Sequence, residues 1–97
     1  MKIDSNKIGT VLTVAIEGSI NTVTAVDLDK ELKAQCEGVT ELILDFAGVS
    51  FVSSAGIRVV LWAYKLMSNQ GKMTLKNVNE NVREVFELTG LEMILNS

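Results

Sequence analysis

An α/β fold with one mixed β-sheet and helices packed mainly on one face is what this sequence predicts, on three observations. Apolar residues alternate with a period of two near the start, and strand-like and helix-like periods then take turns to the end of the chain. Pro is absent and only 22% of residues are charged, which sets aside collagen-like, mucin-like and disordered chains. With 97 residues, 47% of them apolar, the chain suffices for a single two-layer domain spanning residues 1–97. Three Phe, one Trp and one Tyr leave its core mainly aliphatic. The resulting order is β-β-α-β-α-β-α, a hairpin followed by β-α alternation.

Residues 2–8 read as the opening strand, with Gly9-Thr10 as a turn. Val11, Leu12, Val14 and Ile16 make the second strand, which Gly18 ends. A first amphipathic helix covers 24–37, because Ala25, Leu28, Leu32 and Cys36 share one face. Thr24 and Asp27 have the spacing of a capping box, Asp29 and Lys33 form an outward i,i+4 pair, and Gly38 suits the left-handed stop. Cys36 then counts as a small core residue.

Glu41–Phe46 is a continuous apolar run of the kind that is buried on both faces, ending near Asp45 in a tight loop. A second helix follows over 54–69, apolar around most of its circumference and closed by Gly71. Met73-Thr74-Leu75 is a further strand. Asn79 caps a third helix carrying Val82, Val85 and Phe86, and Gly90-Leu91 ends it as a Schellman motif. Residues 91–95 form an apolar tail that covers the core.

Charge and composition narrow the function. Nine basic against twelve acidic residues give −3, and no basic stripe for nucleic acid appears. Residues 1–50 hold four basic and eight acidic groups, and residues 51–97 hold five and four. There is no His, so neither a Ser-His-Asp or Cys-His machine nor a His-ligated metal site fits within the chain. The carboxylates are dispersed and no phosphate-loop spacing occurs, so no metal or cofactor is expected. A single unpaired Cys36 suits a reducing, cytoplasmic setting. The start Met-Lys-Ile-Asp-Ser-Asn lacks the apolar core of a signal peptide, and Val59–Ala63 is too short to span a bilayer. A monomer or weak dimer is expected.

The chemistry concentrates in Asp45-Phe-Ala-Gly-Val-Ser-Phe-Val-Ser-Ser-Ala-Gly-Ile-Arg58. Ser53 or Ser54 suits the N-cap of the second helix. A helix start favours an anion, Ala55 and Gly56 leave the hydroxyl open, and Arg58 one turn later is placed to meet a phosphate or a partner. As a nucleophile Ser54 lacks a base, so self-contained catalysis is not expected.

This segment, after the Gly18-Ser19-Ile20-Asn21 turn and the Thr24-Ala25 helix start, resembles the STAS-domain anti-sigma-factor antagonists, from the first strand to the closing helix. Phe51-Val-Ser-Ser-Ala-Gly-Ile57 carries most of the likeness. The resemblance implies a serine phosphorylated by an anti-sigma factor that is itself a serine kinase, and restored by a partner phosphatase. The unphosphorylated form binds the anti-sigma factor and frees sigma. Aligned on the Gly, that serine is Ser54, with Ser53 as second choice. Ser19, Asn21, Ser53, Ser54, Ala55, Gly56 and Arg58 are the expected partner-binding residues. Ser53 and Asn21 stand where many members have Asp, which removes two negative charges around Ser54. The rival within the resemblance is an accessory subunit of a membrane transport system, or of a non-sigma signalling partner, without serine phosphorylation.

Overall fold

The computed structural model describes residues 1–95, so the last two residues of the expected 1–97 domain lie outside the described residues. The chain runs β1 (Lys2–Ile8), β2 (Val11–Ile20), α1 (Thr24–Gln35), β3 (Glu41–Val52), α2 (Ser54–Gln70), β4 (Lys72–Lys76), α3 (Glu80–Leu88) and α4 (Glu92–Leu95). The sheet order is β1-β2-β3-β4, with β1 antiparallel to β2 and the other two pairings parallel. The expected mixed sheet is therefore present.

Alternation along the strands decides which face is covered. Leu12, Val14, Ile16, Leu42, Leu44, Phe46, Met73 and Leu75 point to one side and are buried. Ala25, Leu28 and Leu32 of α1 pack there with Ile57, Val60, Ala63 and Met67 of α2, and with Val82 and Phe86 of α3. Burial on this scale, at about 25 cal/mol per Å² of apolar surface, is the main favourable term in the fold. Cys36 belongs to the same core, and loss of water pushes its thiol up from the usual value.

Three expectations need correction. The apolar run 41–46 is not buried on both faces: Ile43 and Asp45 lie half-buried on the uncovered side. β2 does not end at Gly18 but continues to Ile20, and β3 does not end near Asp45 but continues to Val52. The two strands stay paired through register shifts at Ala15/Glu17 and Gly18/Ser19, as bulges allow. Those bulges turn the burial spacing from two to three at Val49 and Val52, a pattern that mimics a loop in sequence.

The ends of the helices follow the sequence more closely. Gly90 (φ +74°) provides the left-handed turn after α3. Leu91 N–H then donates to Phe86 O at 2.8 Å and Gly90 N–H to Glu87 O at 3.1 Å, the paired bonds of a Schellman motif. The tail beyond it forms α4, whose Ile94 is fully buried. Among the described residues no helix is long and apolar enough to cross a membrane.

Candidate partner-docking site

Parallel β2 and β3 end side by side, and each leads into a helix whose N-terminus lies at that same edge. Ser53 N–H donates to Ile20 O at 2.8 Å, which ties the β3–α2 junction to the end of β2. The Ser19 and Ser50 hydroxyls lie 3.3 Å apart across the two strands. The expected residues Ser19, Asn21, Ser53, Ser54, Ala55, Gly56 and Arg58 therefore gather on one edge, with different duties.

Asn21 is a capping residue. Its Oδ1 accepts from Val23 N–H and Thr24 N–H, both at 2.9 Å, and its carbonyl accepts from Ala25 N–H at 2.8 Å. Thr24 Oγ1 in turn accepts from Asn21 N–H and donates to Ser19 O. The capping box is thus Asn21-x-x-Thr24 rather than Thr24-x-x-Asp27, three residues earlier than the sequence pattern suggests. It fixes the turn beside Ser19.

The adjacent serines divide in the same way. Ser53 is the N-cap of α2, its hydroxyl accepting from Gly56 N–H at 3.2 Å. Ser54, the first residue of the helix, is exposed, and its hydroxyl has no hydrogen-bond partner among the described residues. Gly56 is buried and not part of the surface. A Cβ there would lie 2.7 Å from both Ile20 Cγ2 and Val52 Cγ2, so only Gly lets the first turn of α2 come down onto the strand ends.

Arg58 is exposed one turn after Ser54. It borders a groove of about 220 Å³ between α1 and α2, with Ala25, Val26, Asp29, Ala55 and Val59. Asp29 is engaged by Lys33 at 3.0 Å. The apolar part of this edge escapes sequence reading: Val23, Val26 and Phe51 are 75%, 52% and 51% exposed. For Val23 and Val26 a signal existed, since both fall off the Ala25-Leu28-Leu32 face of α1. Phe51 gave none, because it lies on a strand extension that the pattern hides.

Away from this edge, Asn79 caps α3 through Val82 N–H and also donates to Val49 O, each bond under 3 Å. Asp45 accepts from Asn77 Nδ2 and Ala47 N–H, and these bonds hold its carboxyl below the usual carboxylate range.

The STAS domain family model matches residues 2–96. BtrV of Bordetella bronchiseptica, which is named as an anti-sigma factor antagonist, is 39% identical over 92 residues, covering 93% of this chain and 79% of its own. The anti-sigma-B factor antagonist of Bacillus subtilis is 29% identical over 85 residues, covering 87% and 78%. Among solved structures, unphosphorylated SpoIIAA, an anti-sigma factor antagonist, superposes with a TM-score of 0.82 at 21% identity, over 93% of this chain and 82% of its own. The murine anion transporter Slc26a9 superposes with 0.74 at 22% identity, over 91% of this chain but 15% of the transporter. By the family match and the identity to BtrV together, the chain belongs to the STAS domain family, and the two sequence relatives described above are named anti-sigma factor antagonists.

Proposed function

We propose that this protein is an anti-sigma factor antagonist that works by partner switching. With Ser54 unmodified, the edge formed by Ser19, Asn21, Ser53, Ser54 and Ala55, with Val23, Val26 and Phe51 around it, docks onto an anti-sigma factor that is a serine kinase. Docking releases the sigma factor. The kinase then modifies Ser54: the hydroxyl oxygen attacks the γ-phosphorus of ATP, the bond to ADP breaks, and the serine proton leaves to a base on the kinase. A phosphatase reverses the step with water. The chain acts as substrate and docking surface, not as catalyst.

One observation carries the choice of residue. The Ser53 hydroxyl is engaged in capping α2, whereas the next hydroxyl, Ser54, is exposed and unpartnered. A phosphate on Ser54 meets the positive end of α2, so the fold tolerates it. A docked partner does not, because a dianion in the contact must be desolvated or repelled. The transporter reading draws only on likeness of fold and on nothing at this edge.

Incubation with ATP and an anti-sigma factor serine kinase from the same genome, read by phosphopeptide mass spectrometry, tests the assignment. Phosphate is expected on Ser54 and absent from Ser54→Ala, which keeps partner binding. Ser54→Asp weakens binding by about a thousandfold, a loss of ~4 kcal/mol, with thermal stability retained. Phosphate on Ser53 alone, or tight binding by Ser54→Asp, overturns the proposal.

A further inference from the structure

We infer that phosphorylation of Ser54 draws Arg58 out of the α1–α2 groove, so that the modification takes a cation from the docking surface as well as adding an anion to it. The inference rests on Ser54 being the modified residue and concerns what the phosphate then does.

Ser54 and Arg58 are four residues apart on α2, and such residues lie one above the other on a helix face. A long side chain at the later position leans back toward the helix start, over the earlier residue. Acid before base at this spacing is the favourable order. Arg58 makes no ion pair among the described residues, whose salt bridges are Asp29–Lys33 and Glu41–Lys72. The acid nearest to it along the groove is thus already held. The first turn of α2 contains no acidic residue that competes for the guanidinium. A phosphate of charge −1.5 to −2, with oxygens suited to a bidentate guanidinium contact, is then the strongest anion within reach.

The consequence lies in the groove. Val26, Ala55 and Val59 make its apolar wall, and Arg58 and Asp29 give it one charge of each sign. The partner segment that fits is an apolar side chain with a carboxylate beside it for Arg58. Once Arg58 turns to the phosphate, the groove keeps only the Asp29–Lys33 pair, and the partner's carboxylate loses its receiver.

The test uses full-length protein with phosphoserine placed at position 54 during translation, so that no kinase is involved. Phosphorus NMR titration is expected to give a phosphate midpoint about 0.4 pH unit lower in the parent than in Arg58→Gln, roughly a 2.5-fold difference in acidity. Arg58→Lys restores part of it. The Val26 methyl resonances move on phosphorylation in the parent and stay in place in Arg58→Gln. Equal midpoints, or Val26 methyls that do not move in the parent, overturn the inference. A kinase that ignores Ser54 would instead sink the proposed function and leave this titration unaffected.

Discussion

The starts of α2 and α3 are built alike and finished differently. Each has a polar cap whose oxygen accepts from the amide three residues on, Ser53 from Gly56 and Asn79 from Val82. At α3 the next residue is Glu80, an acidic residue in the first turn, and Asn79 is anchored a second time on Val49 O. At α2 the next residue is Ser54, a neutral exposed hydroxyl, and the first turn holds no acid. A helix start that carries its own anion is a finished structural joint. One that offers a hydroxyl at the same place leaves the first turn uncharged, and under the proposed function the charge is added from outside.

The largest test of that contrast addresses how each start is seated. α2 rests on the strand ends through Gly56, so Gly56→Ala forces a methyl against Ile20 and Val52 at 2.7 Å. A cost of about 2 kcal/mol follows from such overpacking, lowering Tm by roughly 10 °C. α3 is held through Asn79. Asn79→Ala removes both the cap and the bond to Val49 O, for about 1.5 kcal/mol. Ser53→Ala loses one bond of 3.2 Å, costs about 1 kcal/mol, and leaves the Ser54 hydroxyl exposed as before. Denaturant unfolding of the three variants ranks them. Ser53→Ala costing more than Asn79→Ala would break the comparison.

Acid should separate the two starts as well. The turn into α3 is held by Asp45 through Asn77, and the folded-state pKa of Asp45 lies below its ordinary 3.8. Its contribution is complete above the unfolded value and is lost as pH falls through the lower folded one. Below about pH 3.8, amides of Val82–Phe86 therefore lose protection relative to those of Ile57–Ala63. Hydrogen exchange of parent and Asp45→Asn checks this, because the variant loses the part of the acid dependence that Asp45 supplies.

Much of this contrast was legible from the residues alone. Asn79, the Gly90-Leu91 stop and the Ser53-Ser54 helix start all stand where local chemistry puts them, since capping and left-handed turns depend on a few neighbours in sequence. The long-range features were not legible. The extension of β3 to Val52 depends on bulges against β2, and the exposure of Phe51 follows from it. The Asn21-Thr24 box is hidden in the sequence because two overlapping patterns compete, and only the bonds from Asn21 and Thr24 decide between them. From sequence alone Gly56 reads as part of an open surface. Its role as a seat for α2 depends on Ile20, which is distant in sequence.

The smallest effect is the most pointed, because it asks whether the missing charge at α2 is the only electrostatic difference between the starts. An acid in the first turn of a helix stabilises it by about 0.3–1 kcal/mol through the unpaired amides and the helix dipole. Glu80→Gln should therefore cost a few tenths of a kcal/mol, and Ser54→Glu should gain about as much, since both positions are exposed first-turn residues. The gain at Ser54 should fall in Ser54→Glu/Arg58→Gln, where the i,i+4 partner is gone, while Glu80→Gln is indifferent to Arg58. Urea unfolding at low salt measures these three variants beside the parent, Arg58→Gln and Glu80→Gln/Arg58→Gln, and the differences shrink at high salt, where exposed charges are screened. A Ser54→Glu variant less stable than its parent would mean that the α2 start rejects negative charge. Phosphorylation would then strain the fold itself, and the distinction between a finished joint and an open one would fail.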